Sequence, residues 1–249
     1  HHLDIGNIYS LLNQYSQAEK HFKIAIDLEP ENYLAKEFLA TIYQNAGSYD
    51  KAMEVYRDIL QILESDENRD KDNYVSTLKN IGLLNRDLRN FSEAEYYYKK
   101  VVEVQKDLFG NKSIEYLNAY TELGSFYFSI LKPEEASKVF LRAWTMQSEV
   151  KVKDKIKYSS FLRELGRLAM VVGKYNEAES SLIKSLRIKE NIIAKRKFSG
   201  PNSYNDAQDL SIHYETLASF YESINLKDKA EEYFNKHLKI AKNTYGENS

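Results

Sequence analysis

The chain has 249 residues, with 37 acidic and 35 basic side chains, a formal net charge of −2, 43% hydrophobic residues and no cysteine. That apolar content supports a packed interior rather than disorder. The near balance of charge argues against a nucleic-acid partner, and the lack of cysteine excludes disulfides, thiolate metal sites and cysteine nucleophiles.

Six pairs of small residues recur along the chain, each twelve apart: Gly6/Ala18, Ala40/Ala52, Gly82/Ala94, Gly124/Ala136, Gly166/Ala178 and Ala218/Ala230. An aliphatic residue precedes each first member (Ile5, Leu39, Ile81, Leu123, Leu165, Leu217). A large apolar residue follows each second member by four (Phe22, Tyr56, Tyr98, Phe140, Leu182, Phe234). Offsets of three, four and seven place side chains on one helical face. The pattern predicts helix pairs over 2–13 and 16–28, 31–45 and 48–64, 72–88 and 91–108, 112–130 and 133–150, 154–172 and 175–195, and 206–224 and 227–244. Small residues let the paired backbones approach, and aromatics fill the space beside them.

Short breakers separate the two helices of each pair: Asn13-Gln14, Gly47-Ser48, Arg89-Asn90, Lys132-Pro133, Gly173-Lys174 and Asn225-Leu226. The second helices are expected to open on Ser16, Asp50, Ser92, Glu134, Asn176 and Asp228, which favour a helix start by capping it or through its dipole. Glu19, Glu95, Glu179 and Glu231, three residues later, add a capping-box spacing.

This pattern resembles the tetratricopeptide repeat. The first copy reads Ile5-Gly6, Tyr9, Ala18, Phe22, Ala25 and Pro30, a match at each site of that family's motif. The first members are spaced by 34, 42, 42, 42 and 52 residues. The first step is the ordinary repeat length, and the 42-residue steps are similar to the longer-helix kinesin-light-chain subclass. That subclass often carries a Gly-x-x-His-Pro link, of which Gly110 is present while Ser113-Ile114 stands in place of His-Pro. Tyr245 to Ser249 look like the same link cut off. The 52-residue step implies about ten further residues near Ala194–Asp206, including Lys195-Arg196-Lys197 and Gly200-Pro201, read as a longer helix and loop or as a protruding binding loop. The resemblance implies an all-α, right-handed superhelical solenoid of about six helix pairs. The pairs are expected to form one array over 1–249, with repeats at about 1–30, 31–64, 72–108, 112–150, 154–195 and 206–244.

Catalytic motifs find little support. No His-Glu-x-x-His pair occurs among His1, His2, His21, His213 and His237, and no Gly-rich phosphate loop is present. No enzymatic activity, no cofactor and no metal are expected. In tetratricopeptide arrays the first helix of each pair lines the concave face. Carried over position by position, this implies a peptide-binding groove that includes Asn7, Thr41, Gln44, Lys79, Asn80, Leu83, Arg86, Asn118, Thr121, Ser125, Phe128, Arg163, Arg167 and Met170. Lys79, Arg86, Arg163 and Arg167 suggest an acidic partner, since Arg binds carboxylates in bidentate fashion. Phe128 and Met170 suggest an apolar anchor. Glu122 and Glu164 stand ready to neutralise the arginines. The family's carboxylate clamp is not implied, because Leu83 follows Lys79 where an asparagine is needed.

The expected function is a protein-interaction scaffold that binds a peptide or helix of another protein, with self-association left open. The alternatives are a peptide-sensing receptor and a helper module of an enzyme or DNA-binding protein. No apolar run reaches the ~18 residues of a membrane span and no signal-peptide pattern opens the sequence. A cytoplasmic location without membrane or nucleic-acid contact is expected.

Overall fold

The computed structural model describes residues 1–65, 70–150, 152–195 and 203–245. Among these there are twelve α-helices and no strand. In chain order they are α1 (His2–Leu11), α2 (Tyr15–Leu28), α3 (Tyr33–Asn45), α4 (Tyr49–Ser65), α5 (Lys71–Asp87), α6 (Phe91–Phe109), α7 (Ile114–Ser129), α8 (Pro133–Met146), α9 (Lys155–Val171), α10 (Tyr175–Lys195), α11 (Ser203–Ser223) and α12 (Lys227–Tyr245). A single 3₁₀ turn, Gln147–Glu149, follows α8, so that helix ends at Met146 rather than near 150. Helix α11 starts at Ser203, three residues before the expected 206. The remaining ends fall within two residues of the spacing-based reading. Arg196, Lys197, Gly200 and Pro201 of the insertion, and residues 246–249, lie outside the described residues.

The chain forms two compact units, His1–Val104 and Gln105–Ser249. In the first, α1 packs on α2, α2 on α3, α3 on α4 and α4 on α5. In the second, α7 packs on α8 and α9, α9 on α10, α10 on α11 and α11 on α12.

All six helix pairs turn in the same way. The residue closing each turn has a left-handed backbone: Asn13 (φ 56°), Gly47 (73°), Arg89 (62°), Leu131 (60°), Gly173 (76°) and Asn225 (59°). Its N–H donates to the carbonyl three residues back, as in Asn13 to Ser10 at 3.0 Å and Leu131 to Phe128 at 3.0 Å. The next N–H donates to the carbonyl five back: Gln14 to Tyr9, Ser48 to Tyr43, Asn90 to Asn85, Lys132 to Tyr127, Lys174 to Ala169 and Leu226 to Tyr221, all at 2.8–2.9 Å. These two bonds satisfy carbonyls that the helix end leaves open, a Schellman motif.

The second residue of the turn then starts the following helix. The carbonyls of Gln14, Ser48, Asn90, Lys132, Lys174 and Leu226 accept from the amides of Ala18, Ala52, Ala94, Ala136, Ala178 and Ala230. The fourth turn is therefore Leu131-Lys132, one residue ahead of the expected Lys132-Pro133, and Pro133 is the first residue of α8. Proline suits that position because the amide it lacks would have no helical partner.

All six second helices start one residue before the residue expected to open them. Their openings are Tyr15, Tyr49, Phe91, Pro133, Tyr175 and Lys227, so Ser16 and Asp50 sit inside the first turn rather than at the cap. Gln14 and Lys132 make no side-chain cap bond. Side-chain caps do occur at first helices, where Asn32, Asp70, Ser113 and Asp154 accept from amides two or three residues on. Ser113, in the slot where the similar subclass has His-Pro, thus caps α7.

The small residues make the close approach possible. Ala18, Ala40, Ala52, Ala94, Ala136, Ala178 and Ala218 are fully buried. A Cβ built on Gly166 would lie 2.7 Å from two carbons of Leu182, and one on Gly124 would lie 2.7 Å from Leu168 and 2.8 Å from Val139. At Gly82 the nearest atom would be Tyr97 Cβ at 3.4 Å, an ordinary contact. Around these sites Phe22, Tyr56, Phe140 and Phe161 are almost wholly enclosed. Each contributes roughly 1.5–3 kcal/mol of apolar burial.

Two stability measurements check this account. Gly166→Ala should destabilise by about 1–3 kcal/mol through overpacking, whereas Gly82→Ala should be neutral or stabilise by up to about 1 kcal/mol through helix propensity, both read from urea denaturation. Leu131→Gly should stabilise by about 1 kcal/mol, because Leu131 is 88% exposed and gives up no packing to reach its left-handed backbone. A loss of stability in that variant would show that the turn carries no strain.

Candidate peptide-binding surface

The first helices α1, α3, α7, α9 and α11 each bury one face against their partner helix, and the expected groove residues occupy the inner-face positions of the first helices. In the first unit this inner face carries Asn7 on α1, Thr41 and Gln44 on α3, and Lys79, Asn80, Leu83 and Arg86 on α5. Thr41 is exposed, with its hydroxyl donating to the Glu37 carbonyl at 2.8 Å. Gln44 is half-buried and accepts from the Tyr56 hydroxyl at 3.2 Å. Arg86 is engaged by its neighbour, with Nε and Nη2 donating to Asp87 Oδ1 at 3.0 and 2.8 Å. Asn7, Lys79, Asn80 and Leu83 are half-buried. Burial also pushes the Glu37 carboxyl above the usual carboxylate range.

In the second unit the face is carried by α7 and α9. Ser125 is exposed, Phe128 is 39% exposed, and Asn118 and Met170 are half-buried. Thr121 is 1% exposed, and its hydroxyl turns back to the Asn118 carbonyl at 2.9 Å and the Leu117 carbonyl at 3.2 Å. It serves as a small packing residue and offers nothing to a partner. Two apolar side chains that spacing alone did not single out extend the surface. Leu131 follows Phe128 at the turn, and Val171, next to Met170, is 39% exposed. Leu131 is detectable as a large aliphatic residue in a turn slot filled elsewhere by Asn, Gly or Arg.

The arginines differ from each other. Arg163 is 16% exposed and is held by Glu164 and by Asp209 of α11, each at 3.3 Å. Arg167 is 61% exposed and meets Glu164 at 3.4 Å. Glu164 therefore lies against both cations, and Asp209 takes a further share of Arg163. The local charge is close to cancelled, so the apolar side chains are what this face presents most freely. An exposed pair such as Arg167–Glu164 is worth about 0–1 kcal/mol, which leaves Arg167 available to a competing carboxylate. Arg163 is part of the packing between α9 and α11.

Behind Arg163 lies a polar cluster that the spacing analysis missed. Lys189 of α10 is 3% exposed and pairs with Asp206 at 3.2 Å and Asp209 at 2.6 Å. Ser159, Ser185 and His213 are enclosed beside it. The readable signal was a lysine inside the apolar stripe Leu182, Leu186, Ile193, with Asp206 and Asp209 spaced by three at the start of the next helix. His237 of α12 is half-buried and meets Ser211 Oγ at 2.9 Å. His2 lies within α1 and its Nδ1 is 3.0 Å from that of His21. Among the described residues no group of three or more His, Cys, Asp or Glu side chains could hold a metal, and no helix is long and apolar enough to cross a membrane.

Tetratricopeptide repeat family models match residues 33–107, 2–32 and 214–244, together more than half of the chain. The chain belongs to the tetratricopeptide repeat family. No curated protein matches this tetratricopeptide chain in sequence. Solved structures do match its fold. BtubC (BKLC) from P. vanneervenii superposes with a TM-score of 0.65 at 18% identity, over 95% of this chain and 92% of that one. A Podosopora anserina putative kinesin light chain with nearly identical TPR-like repeats gives 0.57 at 18% identity, over 86% and 97%. PilF of Pseudomonas aeruginosa gives 0.52 at 17% identity, over 99% and 91%. These likenesses are of fold, and they establish the all-α tetratricopeptide solenoid with kinesin-light-chain-like repeats.

The pairing of the two arginines predicts different outcomes on charge reversal. Arg163→Glu places a carboxylate against Asp209 and Glu164 and should cost about 2–4 kcal/mol. Arg167→Glu should change stability by about 1 kcal/mol or less. Urea denaturation of both variants separates the two roles.

Proposed function

We propose that this chain is a non-catalytic interaction module that binds a short segment of another protein on the inner face of its first helices. Tetratricopeptide domains in general bind proteins or peptides. The observation that carries the reading here is a set of apolar side chains on α7, its closing turn and α9: exposed Phe128, Leu131 and Val171 and half-buried Met170, with exposed Arg167 also on α9. Large apolar side chains left in water on a helix face are typical of recognition surfaces. Aromatic and aliphatic anchors carry most of the affinity in such contacts.

The preferred segment has one or two aliphatic or aromatic anchors and an acidic residue placed to reach Arg167. The acidic residue is secondary, because Glu164 already competes for the guanidinium. In the first unit Thr41, Asn80 and Leu83 supply the corresponding mixture of polar and apolar side chains. The six pairs are proposed to work as one array, and the surroundings are proposed to be cytoplasmic.

The test is a library of 15-residue peptides presented to the whole chain, with affinities of the best binders measured by calorimetry. Replacing Phe128 and Met170 together by Ala should weaken binding about tenfold or more, in line with the loss of a hot spot. Arg167→Glu should weaken acidic binders by about three- to fivefold, the scale of an exposed ion pair. Binding that is indifferent to the double replacement would place the partner elsewhere.

A further inference from the structure

The polar cluster between α9, α10 and α11 encloses a histidine whose neutral ring is satisfied by its neighbours. His213 Nδ1 lies 2.7 Å from the Asp209 carbonyl, which can only accept, so Nδ1 carries the proton in the neutral ring. Nε2 then faces the hydroxyls of Ser185 at 3.0 Å and Ser159 at 3.2 Å. Those hydroxyls also have carbonyls to serve. Ser185 Oγ donates to the Ser159 carbonyl at 2.5 Å, and Ser159 Oγ donates to the Ser185 carbonyl at 2.9 Å. Either hydroxyl can turn to donate to Nε2, because the Ser159 and Ser185 carbonyls also accept the helix amides of α9 and α10. The neutral ring is thus satisfied, and a second proton would bring a positive charge into an enclosed site.

The charged groups around the ring decide what that charge would meet. From α9 comes Arg163, itself held by Glu164. From α10 comes Lys189, paired to Asp206 and Asp209. From α11 itself come those two aspartates, with Asp209 Oδ1 3.9 Å from His213 Nδ1. Helix α12 sends His237 to Ser211 of α11. Both carboxylates are already engaged by Lys189 and Arg163, so a third cation would have no unengaged counter-charge beside it.

We propose that this joint is an acid-sensitive latch, in which proton uptake by His213 beside Arg163 and Lys189 loosens the α11–α12 pair from α9 and α10. Burial disfavours the charged ring, and the charges of Arg163 and Lys189 act the same way. Together they outweigh Asp209 and hold the His213 pKa below its ordinary value of 6.5. The folded joint therefore binds fewer protons than the open one. Its closure is favoured above about pH 6.5 and weakens as pH falls below that value. Asp209 cannot be the trigger in this range. Its carboxyl is held below the ordinary 3.8, chiefly by Lys189 against the effect of burial, so it stays ionised until far lower pH.

Hydrogen exchange of the α11 and α12 amides at pH 7.5 and 5.5, corrected for intrinsic exchange, tests the latch on the whole chain. The opening constant should rise by up to about tenfold at pH 5.5, the ceiling for one group that titrates near 6.5 when open and stays neutral when closed. Helices α2 and α3 should show no such rise. His213→Gln, which keeps polar atoms but cannot take a proton, should abolish the change, and an equal rise in that variant would overturn the proposal. Should His213→Gln fail to fold, the ring of the native protein is read directly by proton NMR. A His213 midpoint below 6.5 supports the latch, and one at or above 6.5 overturns it.

Discussion

One backbone device, used six times, sets the geometry on which the other features depend. A left-handed residue ends the first helix, and the residue after it both closes the Schellman bond and caps the second helix. This explains the constant spacing of twelve. From each first small residue the capping carbonyl lies eight residues on, and the alanine that donates to it lies four further, as Gly6, Gln14 and Ala18 show. The second helix can only start there, so its first buried residue falls opposite the small residue of the first. Any insertion in the turn would rotate the second helix and expose Phe22, Tyr56 or Phe140.

Much of the fold was legible because its signals are local. Small and aromatic residues at helical spacing announce both the pairs and their faces, and twelve helices were located to within a few residues. The turn residues were harder to read. Glycine and asparagine fit a left-handed backbone, but Arg89 and Leu131 do not, and Pro133 drew attention one residue downstream of the true turn. Of the two roles open to Ser16 and Asp50, cap or first turn, the structure has the first turn, because the Schellman carbonyl fixes the helix start just ahead of them.

The proposed binding face was legible only in outline. Ser125, Phe128 and Arg167 are exposed on α7 and α9, in keeping with the repeat register, and Met170 is half-buried. What each of them can offer depends on residues distant in sequence. Arg163 meets Asp209, 46 positions away, and Lys189 meets Asp206 across the α10–α11 connection. No helical periodicity reports such pairs. They turn an apparently basic track into a nearly neutral one led by apolar side chains. They also make one repeat joint polar where Gly124 and Gly166 sit among purely apolar neighbours. Such buried pairs add little net stability, but leaving one member unpaired is costly, which suits a joint whose register must be specific.

The inner face of α7 and α9 is the proposed seat of the partner segment. Photo-crosslinking tests it most directly, with benzoylphenylalanine placed either at Phe128 on α7 or at Lys138, exposed on α8, and irradiated with the tightest peptide from the library. Adducts are expected from position 128 and none from position 138. Adducts from 138 alone would contradict it.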